Sequence, residues 1–201
     1  ICYPTANDCE SFENALFGQD AHNMASGDFN GDGYEDFVIA WALFPHTIEP
    51  DQKVDAPINI YLNNGDGRFR EDFDIYIDDS APTHPFAYRT VVADFNNDGI
   101  DDIFSSSMGI QYRSENYNEN FINPYPHLLF LSNDEGKFEN KSNQIEDQNN
   151  GEGQLCGFAH DASVGDPDSD GDIDIFACNI LNINDGKGNF SIHEYINLDW
   201  Q

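Results

Sequence analysis

An all-β chain built from three four-stranded antiparallel units is what this sequence predicts, and three observations predict it. A nine-residue stretch rich in Asp, Asn and Gly occurs three times, at 28–36, 94–102 and 166–174. Short apolar runs of strand character lead into and out of each copy. Further on, each repeat carries a second shared signature, an alternating apolar strand that runs into an Asn/Asp/Gly turn and a return strand opened by an aromatic residue. The stretches begin 66 and then 72 residues apart (28 to 94, then 94 to 166), so repeat architectures come before any other fold.

The stretches read Asp28-Phe-Asn-Gly-Asp-Gly-Tyr-Glu-Asp36, Asp94-Phe-Asn-Asn-Asp-Gly-Ile-Asp-Asp102 and Asp166-Pro-Asp-Ser-Asp-Gly-Asp-Ile-Asp174. Each places an oxygen-bearing side chain at positions 1, 3, 5 and 9 and a glycine at position 6. A hard cation such as calcium takes about six to eight oxygens at about 2.3–2.6 Å, and alternate residues of a tight loop can aim theirs at one centre. The glycine supplies the positive φ of the turn. The side-chain ligands expected are Asp28, Asn30, Asp32 and Asp36, then Asp94, Asn96, Asp98 and Asp102, then Asp166, Asp168, Asp170 and Asp174. Tyr34, Ile100 and Asp172 at position 7 would give only a backbone carbonyl, which leaves their side chains free to vary. Asp, Asn and Gly are also ordinary turn residues, but three copies with one ligand grammar favour three calcium sites. An EF-hand would close with a bidentate Glu at position 12. Position 12 here is Ile39, Ser105 or Ala177, and the following runs are strands rather than amphipathic helices.

Residues 1–20, with Cys2 and Cys9, read as an N-terminal extension. Residues 21–80, 81–150 and 151–201 are the three repeat units of one continuous domain. In each unit a strand enters the acidic loop and a second strand leaves it. The second hairpin then follows at Ile58–Phe69, Leu128–Phe138 or Ile180–Phe190. Four-stranded antiparallel units repeated radially are propeller blades, and propellers close with about four to eight of them. Three blades make a partial propeller with exposed strand edges at both ends. Either the chain is a piece of a longer propeller, or something covers those edges, for which the N-terminal extension and another copy of the chain are candidates. A head-to-tail contact that does not close yields a filament. The links between second and third strands, at about 43–56 and 108–126, are long and read as surface loops; the third is nearly absent.

Eight basic against 38 acidic residues give a formal charge of −30, which disfavours nucleic acid and anionic membrane surfaces as partners. Aromatic residues at 13% and clear strand patterning argue against a disordered acidic chain. The chain starts at Ile1 without an apolar leader or an 18-residue apolar run, so it is expected to be soluble and the mature form of a processed protein. Four cysteines allow three pairings, of which the local one, Cys2–Cys9 with Cys156–Cys178, is expected. Asn140-Lys-Ser and Asn189-Phe-Ser are N-glycan acceptor sequons. Calcium, paired cysteines and sequons agree on a secreted or cell-surface protein.

Gly27-Asp-Phe-Asn-Gly-Asp-Gly-Tyr-Glu-Asp-Phe-Val-Ile-Ala40, followed by Ile60-Tyr-Leu-Asn-Asn-Gly-Asp-Gly-Arg-Phe69, resembles an FG-GAP/VCBS repeat, the calcium-bearing blade of integrin-α-type propellers. The resemblance extends over about residues 17–196 and includes Phe17-Gly18. It implies a β-propeller architecture with calcium at one hairpin of each blade, on the residues named above. The function expected is a non-enzymatic extracellular structural module that associates with copies of itself. The alternative is an adhesion module for a glycan or an extracellular protein, with the Tyr/Asn-rich insertion Gln111–Tyr125 as the place to look. An enzyme is not expected. No nucleophile-elbow, metalloprotease, P-loop or Rossmann string occurs. Among the histidines at 22, 46, 84, 127, 160 and 193, His22 and His160 share a repeat position with Tyr88, which marks a packing or hairpin-edge role more than a catalytic one. Trp41 and Trp200 read as core or docking residues.

Overall fold

A computed structural model of the chain describes residues 19–43, 57–72, 74–76, 87–107, 110–113, 120–123, 126–133, 135–146 and 159–195. The described residues form β1 (Gln19–Gly27), β2 (Asp36–Leu43), β3 (Ile58–Asn63), β4 (Phe69–Glu71), β5 (Ala87–Ala93), β6 (Asp102–Ser107) and β7 (Ile110–Arg113). After them come β8 (Asn120–Asn123), β9 (Leu128–Ser132), β10 (Phe138–Asn140), β11 (Ala162–Gly165), β12 (Asp174–Ala177), β13 (Ile180–Asn184) and β14 (Phe190–Tyr195). They make three four-stranded antiparallel sheets in the orders β1-β2-β3-β4, β5-β6-β9-β10 and β11-β12-β13-β14, and a two-stranded ribbon β7-β8. There is no α-helix among the described residues, only a 3₁₀ turn at Ser142–Gln144.

β1 opens at Gln19 and pairs with β2 out to Leu43. One expectation is corrected: the second long link is not loop throughout, since Ile110–Arg113 pairs with Asn120–Asn123 in an antiparallel ribbon. The third link is the two-residue turn Cys178–Asn179, whose φ values of 55° and 62° are those of a type I′ hairpin.

The sheets stack face to face, and the alternation of side chains divides the core in two. Val38, Ala40, Ile58, Ile60 and Leu62 of the first sheet meet Ile103, Leu128, Phe130 and Phe138 of the second. Phe104, Leu129 and Leu131, on the opposite face of the second sheet, meet Ala162, Ile175, Ala177 and Phe190 of the third. A sheet covered on both sides should be buried at every position, and β6 and β9 are buried throughout. The serines of β6 are accommodated by hydrogen bonds: Ser105 Oγ to Thr90 Oγ1, Ser106 Oγ to the Ala159 carbonyl.

One contact recurs at both junctions. The ring of Phe29 meets Phe138 edge to face at 6.0 Å and 75°, and Phe95 meets Phe190 at 5.7 Å and 79°. Such pairs contribute roughly 0.5–1.5 kcal/mol beyond the area they bury. Each donor ring sits at position 2 of an acidic loop and each acceptor opens the last strand of the next sheet. The chain leaving one sheet also ties onto the next, through parallel bridges Tyr76–Phe138 and Ile145–Phe190. The first strands β1, β5 and β11 lie beside one another. Gly27 permits that approach, since a Cβ there would lie 2.6 Å from Val92 Cγ1, whereas a Cβ at the equivalent Gly165 meets nothing within 4 Å.

Gly27→Ala should therefore destabilise the chain by about 1–3 kcal/mol through overpacking, and Gly165→Ala should stay within about 0.5 kcal/mol of wild type. Denaturant midpoints of the two variants check the contrast; equal effects would contradict the stacking described.

Candidate metal centre

Each acidic loop joins the first two strands of its sheet and is organised by its own carboxylates. In the first, Asp28 Oδ1 and Oδ2 accept the Asp32 and Gly33 N–H groups at 3.0 and 2.8 Å, Asn30 Oδ1 accepts Asp32 N–H at 3.0 Å, and Asp32 Oδ1 accepts Tyr34 N–H at 2.9 Å. The second repeats this with Asp94 accepting from Asp98 and Gly99, Asn96 from Asp98, and Asp98 from Ile100. The third repeats it with Asp166 accepting from Asp170 and Gly171, Asp168 from Asp170, and Asp170 from Asp172. These bonds fold positions 1, 3 and 5 into one concave turn. The glycines at position 6 take φ of 85°, 89° and 99°, which a side chain would resist.

Position 9 is different, because Asp36, Asp102 and Asp174 are buried. Their Oδ1 atoms accept the backbone N–H of Asn63, Ser132 and Asn184 at 2.7, 2.7 and 2.8 Å, so each ties its loop to the second hairpin of the same sheet. Ser132 Oγ adds a second bond to Asp102 at 2.9 Å. The second oxygens of Asp36 and Asp102 accept the N–H of Phe29 and Phe95 at 2.9 and 2.8 Å. In the third loop that donor is missing, since position 2 is Pro167. Asp174 Oδ2 is accordingly a buried carboxylate oxygen without a hydrogen-bond partner. Oxygens of Asp166, Asp168 and Asp174 lie within 4.8 Å of one another. A buried, unpaired carboxylate is costly unless a cation meets it, and an all-oxygen donor set suits a hard cation. The residues present fit such an ion.

Burial holds the carboxyls of Asp36 and Asp174 above the usual range, partly offset by the N–H groups they accept. Burial pushes Asp102 up to about 7. The side chains at position 7, expected to vary freely, do not all stand idle. A Cβ at Gly65 would lie 2.6 Å from the Tyr34 ring, and one at Gly186 2.5 Å from Asp172 Oδ2. Tyr34 and Asp172 therefore cover the glycine turns of their own sheets, a role Ile100 does not share.

Contacts between neighbouring loops were not visible in the sequence. Asp101 Oδ2 accepts the Asp28 N–H at 2.8 Å, and Asp101 N–H donates to the Asp28 carbonyl at 3.1 Å. Asn97 Nδ2 donates to Asp172 Oδ1 at 2.8 Å, and Asn184 Nδ2 donates to the Phe95 carbonyl at 2.8 Å. The three loops thus form one continuous acidic end. Tyr88 stacks on His160 at 4.5 Å, which agrees with a packing role for that repeat position.

The sequon residues Asn140 and Asn189 are both exposed. Asn140 Oδ1 accepts the Ser142 N–H and Oγ–H at 3.1 and 2.7 Å, and Asn189 Nδ2 donates to Asp185 Oδ2 at 2.9 Å. Cys178 is disulfide-bonded. Cys2, Cys9 and Cys156 lie outside the described residues, as does Trp200.

Residues 28–105 match the family model for an FG-GAP-like repeat, from the first residue of the first loop into β6. An FG-GAP-type repeat is therefore part of this chain. No curated protein matches the chain.

In a chelator, stability should rise as pH falls from 7.5 toward 5. Asp102 takes up its proton near pH 7 in the fold and only near 3.8 in the unfolded chain, so the folded state binds more protons across that window. Urea midpoints at several pH values should show the rise, and Asp102→Asn should flatten it in part, Asp36 and Asp174 retaining their share. A midpoint that falls with pH in chelator would contradict the burial assigned to these carboxyls.

Proposed function

We propose that this chain, which carries an FG-GAP-type repeat, is a calcium-binding structural module of propeller blades that works outside the cell and has no catalytic role. The observation that carries the reading is the buried, unpartnered Asp174 Oδ2 beside Asp166 and Asp168. The hydrogen-bond pattern of the third loop recurs in the other two, which supports three sites of one kind. Asp28, Asn30, Asp32, the Tyr34 carbonyl and Asp36 would hold the first ion. Asp94, Asn96, Asp98, the Ile100 carbonyl and Asp102 would hold the second, and Asp166, Asp168, Asp170, the Asp172 carbonyl and Asp174 the third.

The role of calcium in such a module is mechanical. Each ion would replace repulsion among clustered carboxylates with attraction and fix the hairpin from which the next sheet is held. Extracellular calcium modules bind with dissociation constants of about 10⁻⁴–10⁻³ M. At about 1 mM calcium each site then adds roughly 0.4–1.4 kcal/mol to folding. Exposed sequons at Asn140 and Asn189 and a disulfide at Cys178 support an oxidising, extracellular setting. None of the described helices is long and apolar enough to cross a membrane. The non-catalytic reading draws on the histidines: His127 Nδ1 accepts the buried Ser107 N–H at 3.0 Å, and His160 is taken up in stacking.

A second reading, as an adhesion module for a glycan or a protein, draws on the β7-β8 ribbon inserted between β6 and β9. Loss of binding on deleting 110–123, with the fold retained, is what it requires.

Titration calorimetry of the chelated chain with calcium should show three sites, and Asp174→Asn should remove one. Exposed Asp166→Asn should do the same without touching the core. The absence of binding heat, with a melting temperature unmoved by millimolar calcium, would overturn the proposal.

A further inference from the structure

The three loops share one backbone pattern, but their ligand oxygens are not equally free. A carboxylate offers about four lone-pair sites, and the position-9 carboxylates use them to different degrees. Asp102 accepts three backbone N–H groups, from Ser132 at 2.7 Å, Phe95 at 2.8 Å and Asn96 at 3.2 Å. The Ser132 hydroxyl stands between Asp102 Oδ1 and Asp98 Oδ2, at 2.9 and 2.8 Å, and its one proton serves either. Asp36 accepts two, from Asn63 at 2.7 Å and Phe29 at 2.9 Å. Asp174 accepts one, from Asn184 at 2.8 Å, and its Oδ2 is buried without a partner.

Two residues of the third loop account for the difference. Pro167 stands at the position of Phe29 and Phe95 and has no N–H to offer Asp174. Asp168 stands at the position of Asn30 and Asn96, whose Nδ2 groups donate to Asp32 Oδ2 and Asp98 Oδ2, each at 3.1 Å. A carboxylate has no N–H to give, and among the described residues no equivalent bond reaches Asp170 Oδ2. The third loop thereby holds four carboxylates at ligand positions, Asp166, Asp168, Asp170 and Asp174, where each of the other loops holds three.

These differences act on an entering cation in one direction. In the first two loops an ion that draws on Asp36 or Asp102 competes with the N–H groups of Phe29 and Phe95, which are fully buried residues. A buried N–H left without an acceptor is costly. In the third loop no such donor has to be displaced, and the desolvation of Asp174 Oδ2 is already incurred in folding. The additional carboxylate strengthens the attraction further, since ligand charge tunes the affinity of calcium loops.

We propose that the third loop is the high-affinity cation site of this chain and fills before the other two, and that Pro167 and Asp168 set this order. The first loop fills next and the second, whose Asp102 is most heavily bonded, fills last. The inference rests on the calcium reading of the proposed function and adds the inequality of its sites.

Calcium titration of the full chain against a chromophoric chelator, which resolves the stepwise constants, tests it. The tightest step should exceed the next by about ten-fold or more, the scale on which one buried unpaired group changes an equilibrium. Pro167→Ala returns an N–H to position 2, and Asp168→Asn returns the side-chain amide. Each should weaken the tightest step by about ten-fold and leave the other two steps unchanged, with circular dichroism unaltered because both residues are exposed. Asp32→Asn, in the first loop, should leave the tightest step as it is. Three equal constants overturn the proposal, as does a tightest step that survives both third-loop variants. A tightest step lowered by Asp168→Asn alone overturns the role given to Pro167. No calcium binding at any step instead overturns the calcium reading itself.

Discussion

Everything in this chain turns on a carboxylate held where carboxylates are costly. Asp36, Asp102 and Asp174 are buried, each joined to the backbone of a second hairpin. Each binds the two hairpins of its sheet together and forms the floor of an acidic loop. The burial that raises their proton affinity also makes a cation at the same place worth more, because a charge removed from water gains most from an opposite charge beside it. The sheet structure and the fit for a hard cation are thus two consequences of one arrangement.

From that floor the organisation propagates sideways. Position 2 of each of the first two loops supplies the ring that meets the next sheet, and position 8 of the second loop, Asp101, clamps the backbone of Asp28, the residue that opens the first loop. A loop that loosens would therefore disturb both the hairpins of its own sheet and the junction to its neighbour. A small core divided between two interfaces needs such ties, since neither half of the core alone buries much area.

Much of this was legible in the sequence. The loops, the strands flanking them and the second hairpins follow from turn chemistry and period-two patterning, which are local. What stayed hidden depends on neighbours far along the chain. Phe37 and Val38 are both apolar, so alternation could not tell which face of β2 is core; only stacking on the second sheet decides it. Asp101 looked like one more acidic turn residue until the first loop was seen against it. Pro167 stood in plain view as a departure from the Phe of the other two loops, yet its consequence, an oxygen of Asp174 left without a donor, requires knowing that Phe29 and Phe95 use their N–H groups there. Similarly, Asn63, Ser132 and Asn184 could have been noted as equivalent turn residues, but not as the partners of position 9.

The most direct test of the central claim reads each loop on its own. The amides of Gly33, Gly99 and Gly171 donate to Asp28, Asp94 and Asp166, and a calcium ion bound by those carboxylates must polarise them. A calcium titration followed by ¹H–¹⁵N NMR should move all three glycine signals and bring each to saturation. If the three signals stay fixed while calcium is raised to several millimolar, these loops are acidic turns and the account of them as metal centres is wrong.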